Sequence, residues 1–136
     1  MRAWLLLALG PCVLTGCGDA LQDLRALGND TALLPPDAER RVSGGNAVQG
    51  RLLLTEHACT TCHVIPGERR PAAHVGPPLT GFAHRTNVGG SLPNRPEELV
   101  RFIMNSPQAL PGTGMPNLQV SETEARHLAA FLYTLQ

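Results

Sequence analysis

Apolar side chains recur at helical spacing near the end of the chain, and this is the clearest pattern in the sequence. They occupy positions i, i+3, i+4 and i+7, which lie on one face of an α-helix: Leu128, Phe131, Leu132 and Leu135. Ser121 and Glu124 stand before this stripe at the spacing of a capping box, which marks the start of a helix. The pattern therefore predicts a terminal helix that begins after Ser121 and buries this apolar face.

A second helix is predicted from Pro96, because proline fits the first helical turn, where its missing N–H is not needed. Glu97 and Glu98 follow it at the positive end of the helix dipole. The apolar stripe of this helix consists of three side chains: Leu99, Phe102 and Ile103. Pro107 is predicted to end the helix, because proline interrupts helical hydrogen bonding.

The helix that comes first along the chain is predicted to start at Asn46, a residue that caps helices well. Gln49 follows three residues later, as in a capping box, and the helix runs through Gly50 towards Ala58. Loops rich in proline and glycine separate these helices, and no stretch shows a convincing alternation typical of a strand. The predicted fold is all-α, with three main helices and long loops.

Composition limits what this chain can do. Its 136 residues suffice for one modest domain, and its 11 basic residues, all arginine, balance 11 acidic residues. Without a clustered basic face, the sequence gives no sign of nucleic-acid binding. Aromatic residues make up only 4% of the chain, so a small core would be marginal by itself. A bound cofactor would add apolar surface to that core.

The first residues have the features of an export signal. Arg2 is followed by the apolar run 4–9, which is far shorter than the ~20 apolar residues of a membrane-spanning helix. The signal, residues 1–16, ends in Leu14-Thr15-Gly16-Cys17, which resembles the lipobox of bacterial lipoproteins. That resemblance implies cleavage before Cys17 and a lipid on its thiol; an ordinary cleaved signal is the alternative.

Three regions are therefore expected: a lipoprotein signal (1–16), a lipid-anchored flexible tether (17–45) and a folded domain (46–136). The tether contains Pro35-Pro36 and Ser43-Gly44-Gly45, which interrupt regular structure. The expected location is the periplasmic side of the bacterial cell envelope, and the choice between inner and outer membrane stays open.

Cys59-Thr60-Thr61-Cys62-His63 carries the candidate chemistry of the folded domain. The pattern C-x-x-C-H is typical of c-type haem attachment, in which two thiols form thioethers with the haem vinyl groups and the histidine binds the iron. A redox-active cysteine pair and a structural zinc site are the two alternatives. A thioredoxin-like redox pair needs a βαβ setting, and a structural zinc site needs a fourth ligand at suitable spacing.

Pro77, in Gly76-Pro77-Pro78-Leu79, offers a carbonyl beside a backbone nitrogen that has no hydrogen. A histidine that binds a metal usually donates its second ring N–H to such an acceptor. We therefore expect Pro77 to orient His63.

Residues 46–136 resemble the class I c-type cytochromes, which are single-haem electron carriers. Four motifs carry the likeness, in the family's order: Cys59–His63, Gly76–Leu79, Pro111–Met115 and Leu128–Leu132. The stretches 92–99 and 106–109 add a likeness to the cytochrome domain fused to subunit II of some haem-copper oxidases. The resemblance implies the cytochrome c fold, with the terminal-helix aromatic packed against the first helix at Gly50.

The resemblance also implies that Met115 is the sixth ligand of the haem iron and that Arg85 lies near a haem propionate. Met104 is the competing methionine, but its place in a helix favours a core role. A second histidine is a further alternative, although His74, His84 and His127 are most simply surface residues. Arg85 has a plainer alternative as a solvated loop residue.

The function expected from this resemblance is electron transfer on one covalent haem c with His63 and Met115 as ligands. No small-molecule substrate and no catalytic residue are then expected. Expected partners are a quinol-oxidising complex, a dehydrogenase or a terminal oxidase, with the membrane reached through the lipid anchor. The alternatives are a haem-bearing subunit of a larger oxidoreductase, or a haem enzyme or gas sensor with an open sixth position.

Overall fold

The structure, a computed structural model, describes residues 40–68 and 75–136. The predicted export signal, Cys17, most of the predicted tether and His74 lie outside these residues. The elements follow one another as α1 (Ala47–Glu56), α2 (Cys59–Cys62), a 3-10 turn (Phe82–His84), β1 (Asn87–Val88), β2 (Leu92–Pro93), α3 (Pro96–Met104), α4 (Ser106–Ala109) and α5 (Glu122–Leu132). No helix within the described ranges is long and apolar enough to span a membrane.

Helix α1 begins after Asn46, whose side-chain oxygen accepts from the backbone N–H groups of Val48 and Gln49. The helix ends at Glu56 instead of continuing towards Ala58 as predicted. Ala58 has a positive φ of 55°, and this left-handed residue redirects the chain into the short helix α2. The two cysteines of the C-x-x-C-H motif therefore lie on a separate helical turn.

Helices α1 and α5 cross in close contact at Gly50. A Cβ atom at this position would overlap the backbone carbonyl of His127 and lie 2.9 Å from the Cβ of Phe131. Only glycine lets the two backbones approach so closely. The contact between the terminal-helix aromatic and Gly50 is thus present as the resemblance implies.

Helix α5 has the predicted capping box. The Ser121 N–H donates to Glu124 Oε2 over 2.9 Å, and the Glu124 N–H donates to Ser121 Oγ over 3.4 Å. The predicted apolar face is buried throughout: Leu128, Phe131, Leu132 and Leu135. Leu135 lies just beyond the helical residues and still packs in the core.

Helix α3 buries the predicted stripe of Leu99, Phe102 and Ile103, but Pro107 does not end it. The helix ends at Met104, and Pro107 lies in the first turn of α4. Asn105 separates the two helices, and its side-chain oxygen accepts from the Gln108 N–H as a cap. Proline is tolerated in a first turn, so the residue that we predicted as a terminator instead starts the next helix.

A small antiparallel hairpin, β1–β2, joins the 3-10 turn to α3, although the sequence predicted no strand. Val88 pairs with Leu92, and Gly89 and Gly90 form the turn with φ of 60° and 93°. Strands of two residues are too short for alternation to be visible in a sequence.

The residues just before Asn46 pack on the helices. Val42 is buried, and the guanidinium of Arg126 donates to the Ser43 carbonyl over 3.2 Å. The packed region therefore starts earlier than the predicted boundary at residue 46.

Candidate cofactor site

The His63 imidazole is fixed by the loop that contains Pro77. His63 Nδ1 lies 2.8 Å from the Pro77 carbonyl oxygen. A carbonyl can only accept a hydrogen bond, so Nδ1 carries the proton and Nε2 keeps its lone pair. This arrangement leaves Nε2 as the nitrogen that can bind a metal.

Gly76 forms a close cradle for the same ring. A Cβ atom there would lie 2.5 Å from His63 Cε1 and 2.7 Å from His63 Nδ1. The loop is fastened to the histidine segment by two backbone bonds: the Gly76 N–H donates to the Cys62 carbonyl over 2.9 Å, and the Leu79 N–H donates to the Val64 carbonyl over 2.8 Å. The position of Pro77 is thus determined by the chain on both sides of His63.

Arg85 also contacts this loop. Its guanidinium donates to the carbonyls of Pro78 and Thr80, and the Thr80 contact measures 3.2 Å. It also lies over the Phe82 ring, 5.5 Å from the ring centroid. Arg85 is half-buried and engaged in these contacts, so it is not simply a solvated loop residue.

Cys59 and Cys62 are half-buried free thiols on α2. Burial raises the pKa of the Cys59 thiol to about 11, against the opposing effect of a backbone hydrogen bond. Reactive redox cysteines have lowered pKa values, so this shift does not favour a redox pair. Among the described residues, no group of three or more potential metal-binding side chains occurs and no βαβ unit is present. These facts favour neither the redox pair nor the zinc site.

Met115 lies in the irregular loop between α4 and α5. It is half-buried and packs against the hydrophobic core, and its N–H donates to Thr113 Oγ1 over 3.3 Å. Met104 also packs against the core, at the end of α3, where it lines a surface groove with Glu97 and Arg126. The two methionines therefore occupy different settings, one in a loop and one in a helix.

The histidines differ in their contacts. His84 is exposed, as predicted. His127 is half-buried, and its Nδ1 accepts a hydrogen bond of 3.1 Å from the Asn46 N–H, so it joins the start of α1 to α5. His127 is therefore partly exposed and also makes a structural contact that the sequence did not predict. The sequence offers little indication of this contact, because a structural histidine and a surface histidine look alike in a sequence.

The residues fit a covalently bound haem. The donor set offers two free thiols, an imidazole with an available nitrogen and a thioether, and a side chain larger than glycine at position 76 would collide with that imidazole. Four leucines pack on the core and stay partly exposed, so they offer apolar area that a porphyrin could cover: Leu53, Leu92, Leu110 and Leu118.

Asn94 and Tyr133 form a polar contact that the sequence did not predict. Asn94 is buried, and its amide bonds to the backbone of the 82–85 turn and to the hydroxyl of Tyr133. A lone asparagine before a helix carries no signal that would reveal such contacts.

Comparison with known proteins identifies the family. The model of the family "Cytochrome c" matches residues 47–136. Cytochrome c oxidase subunit 2 of Alkalihalophilus pseudofirmus is 33% identical over 91 residues, which cover 66% of this chain and 26% of that protein. Cytochrome c oxidase subunit 2 of Bacillus subtilis is 34% identical over 85 residues, which cover 58% of this chain and 24% of that protein.

The chain spans about a quarter of the length of these curated relatives. The family match covers all the helices of the described residues, and it confirms the predicted all-α fold. It also implies haem-based electron transfer. The chain belongs to the cytochrome c family, as a class I c-type cytochrome that resembles the cytochrome domain of oxidase subunit 2.

Proposed function

We propose that this cytochrome carries electrons on a single haem c, attached through Cys59 and Cys62 and ligated by His63 and Met115. The hydrogen bond between His63 Nδ1 and the Pro77 carbonyl is the observation that best supports this proposal, because it leaves Nε2 available to bind a metal. When bound, the haem supplies one-electron chemistry between ferrous and ferric iron.

The protein's contribution is to hold the ligands and tune them. The Pro77 carbonyl makes the His63 imidazole more basic, which strengthens it as an electron donor. Met115 contributes a neutral thioether, and methionine paired with histidine raises the reduction potential in cytochromes c. If His63 and Met115 both bind the iron, no position would be left on it for a substrate, and the protein would act as a carrier and not as an enzyme.

Arg85 is proposed to lie near a haem propionate. Its guanidinium has five N–H donors, and the two carbonyl contacts of Nη2 leave others for a carboxylate. The contacts with Pro78 and Thr80 hold the guanidinium in place, so its orientation is set by the protein.

We place this carrier in a respiratory chain of the bacterial cell envelope, with a quinol-oxidising complex or dehydrogenase as donor and a terminal oxidase as acceptor. The names of the two relatives, both cytochrome c oxidase subunits, support the acceptor. Cleavage at residue 16 and lipidation of Cys17 would anchor the domain on the periplasmic side. The predicted tether that follows Cys17 would then raise its effective concentration near membrane partners.

The second candidate function is a fixed haem-bearing subunit of a larger oxidase complex. It is favoured because the similar proteins are subunits of such an enzyme. Purification from the native membrane distinguishes the two: a free carrier separates from the oxidase after mild detergent extraction, whereas a subunit stays with it through size-exclusion chromatography.

The ligand set is tested in the protein matured with haem, whose mass first establishes the number of haems attached. Met115→Ala is expected to abolish the methionine–iron charge-transfer band of the oxidised spectrum and to lower the reduction potential. Met104→Ala is the matched control and keeps the band. An unchanged spectrum in Met115→Ala would contradict the proposed ligand, and rapid carbon monoxide binding by the unaltered protein would favour an open sixth position.

A further inference from the structure

Asn94 is a buried side chain whose amide nitrogen and oxygen are both hydrogen-bonded. Its Nδ2 donates to two carbonyls of the 82–85 turn, that of Phe82 over 3.1 Å and that of Arg85 over 3.0 Å. Its Oδ1 accepts from the Tyr133 hydroxyl over 3.0 Å. Asn94 is only 8% exposed, and a buried amide with every partner in place fixes the groups around it.

The same turn is attached to the end of the chain by two further contacts. The Ala83 N–H donates to the Leu135 carbonyl over 2.9 Å. The Phe82 and Tyr133 rings pack with their centroids 6.1 Å apart. The position of the 82–85 turn is therefore set by the segment that follows α5, and Asn94 joins the two by hydrogen bonds.

The 82–85 turn is bonded to the loop that contains Pro77. Arg85 ends the turn, and its guanidinium donates to the carbonyls of Pro78 and Thr80. Pro78 is the neighbour of Pro77, whose carbonyl accepts the bond from His63. A continuous path of hydrogen bonds thus runs from Tyr133 through Asn94 and Arg85 to the Pro77 loop.

We propose that Asn94 and Tyr133 are positioning residues for the histidine ligand: by fixing Arg85 and the Pro77 loop, they set the strength of the hydrogen bond that His63 donates. The inference rests on the proposed ligation of haem by His63. It adds that the hydrogen bond of the histidine ligand depends on Tyr133 in the terminal segment, which lies far from the C-x-x-C-H motif in the sequence.

The direction of the effect follows from the chemistry of the imidazole. A strong bond from Nδ1 to a carbonyl makes the ring more basic, and a more basic ligand stabilises the oxidised metal. A loosened Pro77 carbonyl therefore weakens that bond and favours the reduced state. Removing the Asn94 amide is expected to raise the reduction potential.

The test uses the haem-loaded protein and two readouts. In Asn94→Leu, we expect the His63 Nδ1 proton to exchange with solvent about tenfold faster by NMR of the reduced form. The ratio of reduced to oxidised protein at a fixed applied potential should rise about threefold, where tenfold corresponds to about 59 mV for one electron. Tyr133→Phe removes only the hydroxyl and should shift both readouts in the same direction by less.

Ser121→Ala is the matched control, since it removes a cap of α5 without contacting the 82–85 turn. It should destabilise the protein while leaving both readouts unchanged. Equal shifts in Ser121→Ala, or wild-type values in the Asn94 and Tyr133 variants, would overturn the inference. If Asn94→Leu fails to fold, Tyr133→Phe decides by itself. A wild-type protein without a histidine–methionine spectrum would instead contradict the proposed function.

Discussion

The loops that carry the two candidate iron ligands are built in different ways. The His63 side is held by contacts between distant residues: His63 with Pro77, Leu79 with Val64, and Asn94 with Tyr133. On the Met115 side, hydrogen bonds among the described residues of 111–120 join positions at most three apart. They run from the N–H groups of Thr113, Met115 and Gln119 to nearby acceptors.

This difference implies different sources of order. The place of His63 is determined by the fold, because moving it would break bonds to several separate segments. The place of Met115 depends on side-chain packing, since Met115 and Leu118 are half-buried against the core and Val120 is buried. A segment with only local hydrogen bonds opens at a lower free-energy cost than one tied across the domain. We call residues 111–120 the methionine loop, and His63 with the Pro77-containing segment 75–81 the histidine loop. We therefore expect the methionine loop to open more readily than the histidine loop.

The test with the largest expected effect on stability replaces one glycine in each loop. In Gly76→Ala the new Cβ would lie 2.5 Å from His63 Cε1, so the ring must move and its bond to Pro77 is lost. Overpacking with the loss of a hydrogen bond should lower the free energy of unfolding by about 3 kcal/mol. Chemical denaturation of the haem-loaded variant measures this, and its visible spectrum should also change.

Gly114→Ala is the matched variant on the methionine side. No atom lies within 4 Å of a Cβ built at Gly114, and its backbone lies outside the left-handed region. Alanine there should leave stability unchanged or raise it by about 0.4–1 kcal/mol through lower entropy of the unfolded chain. Equal losses in the two variants would show that the loops are equally constrained.

The second test uses pH, because the histidine side is anchored by the chain's single tyrosine. Burial raises the pKa of Tyr133 to about 12 from its ordinary 10.0, against the nearby Arg40 charge. Between pH 10 and 12 the unfolded tyrosine loses its proton first, so the unfolded state binds fewer protons and stability falls with pH. A two-unit shift corresponds to at most about 2.7 kcal/mol.

Denaturation curves from pH 9 to 12 would measure this loss, and tyrosinate absorbance reports Tyr133 directly. Tyr133→Phe should flatten the stability profile in this window. Residues 111–120 contain no titratable side chain, so alkaline loosening is expected to reach the histidine loop first. A profile that is the same in both proteins would remove Tyr133 as the cause.

Local signals predicted much of this molecule. The capping box at Ser121 and the apolar spacing after it depend on neighbours within one or two turns, and α5 follows them closely. The C-x-x-C-H pattern likewise carries its chemistry within five residues. The Pro77 carbonyl was predicted because proline has no competing donor, and the structure places it at His63.

Features decided by distant contacts could not be predicted in this way. Nothing local to Ala58 announces its left-handed backbone, which turns the motif away from α1. Pro107 is compatible both with ending one helix and with starting another. The bond between Asn94 and Tyr133 joins residues 39 positions apart, so only the folded chain reveals it.

The smallest test compares backbone strain in the two loops. Gln119, on the methionine side, has a positive φ of 57°, whereas Gly81, before the 82–85 turn, has a φ of 66°. A non-glycine residue in the left-handed region lowers the free energy of unfolding by about 1 kcal/mol or more. Replacing it with glycine removes this strain, but the greater entropy of glycine in the unfolded chain offsets part of the stabilisation. Gln119→Gly should therefore raise the free energy of unfolding by about 0.5 kcal/mol, and Gly81→Ala should lower it by about 1 kcal/mol.

Thermal and chemical denaturation of the two haem-loaded variants would measure these opposite signs. The histidine loop already has glycine where its backbone needs it, so substitution there can only lose stability. The methionine loop keeps a strained glutamine, so its stability can still be raised by a single substitution. A loss of stability in Gln119→Gly would mean that the Gln119 side chain stabilises the loop by more than its backbone strain costs, and the methionine loop would then be more firmly held than its local hydrogen bonds imply.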